Sequence, residues 1–276
     1  QSSATRKLTI DPDAELGHLA EGGVRAMTWH DFVYPPRLKE IYDLPPVLYL
    51  RGELTSEDER SVAVVGTRKP TAYGREAAYR LTFDIARSGV VIVSGMARGI
   101  DAIAHRAALE AGQRTIAVLG SGVDMIYPPE HSGLADQVVR NGALISEHPL
   151  GTRPSAQHFP RRNRIMSGMT LGTVVVEAGE RSGALITANH ALEQDREVFA
   201  VPGNIFSPSN RGTNRLIRDS AAKLVLDYQD VLQELNLSSV EQQIEMAALF
   251  PVDKSESEIL RYVTYDPIHI DEVIRT

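Results

Sequence analysis

Short apolar runs, most of them β-branched, punctuate the middle of the chain at Val62–Val65, Val90–Val93, Thr115–Leu119, Ala143–Ile145, Thr173–Val176 and Glu197–Val201, with a shorter seventh at Lys223–Leu226. Runs of this length without polar alternation are strands covered on both faces. Helix-length stretches separate them: Arg75–Arg87, Ala102–Ala111, Ser132–Arg140, Arg164–Met169, Ala184–Gln194 and Thr213–Ala221. Strand then helix, repeated, requires right-handed crossovers and a parallel sheet with helices on both sides. The fold class is therefore α/β, a doubly wound, mostly parallel, Rossmann-like sheet.

The flanks are less regular. Residues 1–45 carry one short helical element around Leu16–Ala26 and the first of two proline pairs, Pro35-Pro36; Pro45-Pro46 follows, and Val47–Leu50 reads as an extended segment laid onto the main domain. Residues 46–236 form the Rossmann-like domain. From 237 to 276 the chain turns polar and then yields two short amphipathic pieces, the first opened by a Ser255–Glu258 capping pattern. With 276 residues this is one large domain plus small appendages. The chain has no Cys, which removes disulfides, thiol catalysis and Cys-ligated metals and fits a reducing cytoplasm. No run approaches the roughly 18 apolar residues of a membrane span, and Gln1–Thr9 has no signal-peptide core.

In doubly wound sheets ligands bind outside the carboxyl ends of the strands. The loops there are rich in small residues: Gly66-Thr67-Arg68-Lys69, Ser94-Gly95 with Arg98, Gly120-Ser121-Gly122, Gly179 with Arg181, and Gly203. Small residues let backbone amides approach a ligand, and the following helices aim their positive ends the same way, which favours phosphate. The alternative for any one loop is a tight strand–helix turn. Gly120-Ser-Gly122-Val-Asp-Met125 is an incomplete GxGxxG, and no P-loop is present, so neither NAD nor ATP is expected as an obligatory cofactor. No other cofactor or metal is expected.

Charge narrows the ligand. The net charge is −7, yet the windows 67–75, 94–101, 158–164, 177–183 and 202–218 hold eleven cations, Arg211 among them, against three acids. That local excess of +8 leaves −15 for the rest. A small nucleotide does not need so many cations, whereas a polyphosphate backbone does, and Arg is the better forked donor. The densest window is His158-Phe159-Pro160-Arg161-Arg162-Asn163-Arg164. An aromatic beside backbone-tracking cations is how single strands are gripped without sequence readout. Because Pro160 disfavours helix at the preceding residue, Phe159 is expected in an extended loop, with the helix starting near Arg164.

Five ordered blocks together resemble the DNA-processing protein A (DprA/Smf) family: Val64–Arg68, Val93–His105, Leu119–Gly122, Phe159–Gly168 and Val176–Thr187. The resemblance covers roughly 45–235. It implies a bacterial cytoplasmic protein that binds and protects incoming single-stranded DNA during natural transformation. It further implies a homodimer that loads the RecA recombinase onto that DNA, with single-strand-binding protein an open further partner, and without catalysis. Arg68 then belongs to a phosphate-gripping loop, and Phe159 with the following arginines to the DNA groove. By the same resemblance, residues 1–45 correspond to a partial sterile-alpha-motif-like extension and the carboxyl tail to the start of a winged helix. Ala156 and Gln157 stand where some members carry a basic residue before the Phe.

Two enzymatic readings compete. Asp101, Asp124, Glu147 and Glu177 lie near strand ends, as a metal-dependent nuclease needs, but show no DxD or HxH spacing. A nucleotide N-glycosidase of the lysine-decarboxylase-like (LOG) group has a similar sheet, but its PGGxGTxxE signature is replaced here by Glu177-Ala-Gly-Glu-Arg181. His105, on the helix after Gly99, reads as a buried, hydrogen-bonded residue rather than a base.

Overall fold

A computed structural model describes residues 12–237. The chain divides into two units, Gln1–Leu235 and Asn236–Thr276, and the winged-helix reading of the tail lies, past Leu237, outside the described residues.

The first unit runs α1 (Pro12–Glu21), β1 (Val24–Thr28), β2 (Val47–Gly52), β3 (Ser61–Val65), α2 (Ala72–Arg87), β4 (Val91–Ser94), α3 (Ile100–Glu110), β5 (Thr115–Val118), α4 (Ser132–Asn141) and β6 (Gly142–Ser146). It continues through α5 (His158–Met169), β7 (Gly172–Val175), α6 (Ala184–Glu193), β8 (Glu197–Ala200), α7 (Arg211–Arg218), β9 (Lys223–Leu224) and α8 (Tyr228–Glu234). The strands form one sheet in the order β1-β2-β6-β5-β4-β3-β7-β8-β9. From β6 to β9 every pairing is parallel. The chain lays β3 to β6 outward in one direction, then returns to place β7 on the other side of β3. The topological switch point therefore lies between β3 and β7, where an open α/β sheet parts its loops to admit a ligand.

Burial follows from the pleat. Ile116, Val118 and Ile145 pack toward the α5–α6 side with Ile165, Met166 and Leu185. Their strand neighbours Ala117, Leu119 and Leu144 pack toward the α3–α4 side with Ala102, Leu134 and Val138. This two-sided cover is why the runs show no alternation.

The amino-terminal segment departs from the sequence reading. The helix expected to reach Ala26 ends at Glu21; Gly23 adopts φ +62°, the chain reverses, and Val24–Thr28 becomes a strand. Val24 and Met27 are buried and give the strand its reason. β1 and β2 form an antiparallel hairpin, and β2 pairs antiparallel with β6, carrying the sheet past its parallel edge. Fully buried Tyr34 donates its phenol hydrogen to the Pro45 carbonyl at 2.6 Å, fastening the proline-rich connection.

Candidate nucleic-acid interface

At the switch point a crevice of about 930 Å³ opens between the loops after β3 and β7 and the first turn of α5. Its walls meet through main chain. The Thr67 amide donates to the Glu177 carbonyl at 2.7 Å, and the Ile100 amide to the Thr67 carbonyl at 3.2 Å. Gly99, at φ +77°, lets the β4–α3 loop pass against the backbone of Thr67 and Arg68, where a Cβ would collide. The carboxylate of Glu177 is buried behind this wall. It accepts the Thr71 amide at 3.0 Å and hydroxyl at 3.2 Å, while Thr71 caps α2 by accepting from the Gly74 amide.

Phe159 sits in this crevice half-buried, and it is helical. Pro160 falls in the first turn of α5, where its missing N–H has no intrahelical partner to lose. That overrides the pre-proline restriction, so the extended loop expected around Phe159 is corrected to the opening turn of a helix beginning at His158. The ring tilts against Tyr127, centroids 5.7 Å apart, and the Arg68 guanidinium lies 5.5 Å from its centroid. His158 sets the helix end, with Nδ1 3.1 Å from the Gly120 carbonyl and its ring stacked on His148 at 4.2 Å.

The next residues turn inward. Arg162 is buried; it donates to the carbonyls of Gly95 and Val118, at the ends of β4 and β5, and its Nε donates to Asn163 at 3.2 Å. Burial pulls its guanidinium down to about 10, opposed by Asp101. Burial in turn raises the Asp101 carboxyl, opposed first by Arg162. Asn163 donates to the Gly183 carbonyl at 3.4 Å, tying α5 to the β7 loop. Buried Arg164 makes a two-pronged pair with Glu147 at 2.8 and 3.4 Å and reaches Asp43 at 3.0 Å.

Of the residues expected to meet DNA, Gly66, Thr67, Arg68, Lys69, Phe159, Arg162, Asn163, Gly179 and Arg181 line the crevice. The others stand behind or beside it. Ser94 is buried, donating to the Val64 carbonyl; Gly95 lies against Arg162; Ser121 donates to the Met125 carbonyl. Gly120 packs under the Phe159 ring. Arg98 pairs with Glu130 at 2.5 Å, and exposed Arg161 lies 3.7 Å from Glu147. Gly203 exchanges two hydrogen bonds with Asn214, and exposed Arg211 opens α7. Tyr127 was not anticipated. Its signal was an aromatic followed by two prolines in a strand-end loop, a place where a ring cannot retreat into a helix face.

His105 is fully buried, as its position on α3 implied. Its Nδ1 lies 2.7 Å from the Thr115 hydroxyl, which itself donates to the Ile92 carbonyl, so the ring is the donor in that pair. Burial drives its pKa down to about 3. Among the described residues no helix is long and apolar enough to cross a membrane.

Comparison with known proteins agrees with this architecture. The family model for DNA recombination-mediator protein A matches residues 25–236. DNA processing protein DprA of Bacillus subtilis is 46% identical over 221 residues, 80% of this chain and 74% of that protein; other curated relatives are spanned over as little as 49% of their length. The crystal structure of DNA processing protein A from Streptococcus pneumoniae superposes at TM-score 0.75 with 41% identity, covering 82% of this chain and 78% of that one. The DNA processing protein A of Helicobacter pylori, whose structure concerns its single-stranded DNA binding mode, superposes at TM-score 0.68 with 28% identity, covering 76% and 95%. Matched across the whole sheet and every loop of the crevice, the chain belongs to the DNA recombination-mediator protein A family, a family of DNA-processing proteins.

Proposed function

We propose that this chain binds single-stranded DNA in the switch-point crevice and delivers it to the RecA recombinase during natural transformation, without cleaving it. The observation that carries this reading is the pairing of the half-exposed Phe159 ring with the Arg68 guanidinium, 5.5 Å from its centroid, in a crevice also lined by Lys69 and Arg181. A base stacks on the ring while the cations follow the phosphates. Two copies acting together fit the exposed Leu224 and Leu226 at the β9 edge of the sheet. In this reading Arg162 and Arg164 build the groove rather than touch the strand.

The carboxylates that a nuclease would need already have partners: Glu177 holds Thr71, Glu147 holds Arg164, Asp124 accepts the Gly151 amide, and Asp101 accepts from Ala97. This favours binding over hydrolysis. The deciding experiment is a gel shift with oligothymidylate, in which the same DNA is afterwards sized. A salt-sensitive shift with intact DNA is expected; metal-dependent fragments would establish a nuclease, and free base released from a nucleoside monophosphate a glycosidase. Delivery to RecA is read separately, as faster RecA assembly on DNA precoated with single-strand-binding protein.

A further inference from the structure

The loop between β8 and α7 sits beside the crevice and has no part in it as described. Gly179, on the crevice wall, packs against the Pro208 carbonyl, and the Gly212 amide donates to the Ala178 carbonyl at 2.8 Å. The loop is rigidly built. Asn214 exchanges two hydrogen bonds with Gly203, the Tyr73 phenol donates to the Pro202 carbonyl at 2.7 Å, and the Asn204 side chain accepts from the Phe206 amide at 2.9 Å. At the tip of this braced loop stand two apolar side chains, Ile205 and Phe206, 72% and 84% exposed. Two adjacent apolar side chains held out from an ordered loop make a local apolar surface available to a partner.

The charges around the tip indicate what does. Arg211 opens α7 and Arg181 lies on the crevice wall; both are exposed, and neither has an acidic partner among the described residues. In a chain whose net charge is −7, two unpaired guanidinium groups, one on the crevice wall that also holds Phe159 and one at the end of the loop that presents Phe206, suit a polyanion that carries flat apolar faces.

We propose that Phe206 is a second stacking platform for the same DNA strand, with Arg181 and Arg211 gripping the phosphates that run between it and Phe159. The proposal rests on the reading of the crevice as a single-strand site and extends it along the sheet. It predicts a length threshold, since a strand must be long enough to reach both rings.

The test is the affinity of the full chain for oligothymidylates of about 5 and about 16 nucleotides, the range that such grooves occupy. Phe206→Ala should weaken the longer strand about tenfold, as loss of one stacked base does, and leave the shorter one unchanged. Phe206→Tyr should restore the affinity and Phe206→Leu should not. The proposal is overturned if the longer strand binds Phe206→Ala as it binds the parent, or if Leu restores binding as well as Tyr, since cover by any apolar surface would then suffice. It is also overturned if sedimentation shows Phe206→Ala separating a dimer, which would make the occupant a second copy of this chain. Failure of the unsubstituted chain to bind either strand removes the crevice reading and this one together; binding by the parent with no effect of the substitution removes this one alone.

Discussion

Phe159→Ala separates a groove residue from a core residue by arithmetic. A fully buried Phe replaced by Ala costs about 3–5 kcal/mol of stability, because the cavity cannot collapse. Phe159 is half-buried and its ring contacts are Tyr127, the Arg68 guanidinium and the backbone around Gly120. The aromatic pair contributes about 0.5–1.5 kcal/mol and the surface cation–π contact about 0.5–1 kcal/mol. The expected loss of stability is therefore about 1–2.5 kcal/mol, measured as a shift of the urea midpoint at unchanged slope. Loss of one stacked base should cost about 1–3 kcal/mol of single-strand affinity, a 5- to 150-fold rise in Kd, measured by fluorescence anisotropy with oligothymidylate. A stability loss above about 3 kcal/mol with unchanged affinity would refute the stacking role and return Phe159 to the core. Because Arg68 loses its ring at the same time, Arg68→Ala and the double variant should be measured beside it; non-additive losses identify the pair acting as a unit.

Arg68→Ala alone should weaken all sequences about equally and flatten the plot of log affinity against log salt by about 0.7, the share of one single-strand phosphate contact. His105 predicts an acid-sensitive fold. Its folded pKa of about 3 lies below the unfolded value of about 6.5, so the unfolded chain takes up the proton first and stability falls as pH drops below about 6.5. By pH 5 this should remove about 2 kcal/mol. His105→Asn, which keeps a donor to Thr115 and cannot titrate, should show a loss smaller by that amount; equal losses in the two proteins would reject the assignment. Glu147→Leu leaves Arg164 buried with the exposed Asp43 as its remaining ion-pair partner, and should cost about 3 kcal/mol in chemical denaturation.

The sheet was readable because both its faces are covered, which turns every central strand into an unbroken apolar run. Val62–Val65 and Thr173–Val176 sit within one residue of β3 and β7 for that reason. β1 hid because its cover is broken: Val24 and Met27, three apart, are buried on opposite faces, with exposed Arg25 and Ala26 between them, a spacing that suits a helix as well as a strand. The start of α5 was misplaced because a rule about the residue before proline yields where the helix has no hydrogen bond to lose. Sequence located the cationic window from 158 to 164 but could not sort it. Arg161 is exposed, while Arg162 and Arg164 are buried, a difference that depends on carbonyls and carboxylates contributed by β4, β5, β6 and the segment before β2. Such partners are far off in sequence and carry no periodic signature.

The β1–β2 pair also bears on how the edge of this sheet is shielded from other chains. β6 is buried along its whole length, and without a neighbour it would offer an apolar strand with open amides and carbonyls to any passing chain. β2 occupies that side through the pairs from Tyr49–Ser146 to Gly52–Ala143, and β1 closes β2 in turn, turning Arg25 toward solvent on the last strand. Antiparallel attachment lets two short strands do this, since it needs no crossover helix. The sheet thus ends on this side in a brief strand that carries a charge, a poor template for further strand addition. Starting the chain after Gly52 would remove both strands of that guard, and insoluble, β-rich aggregates rather than a smaller working domain are the outcome to anticipate.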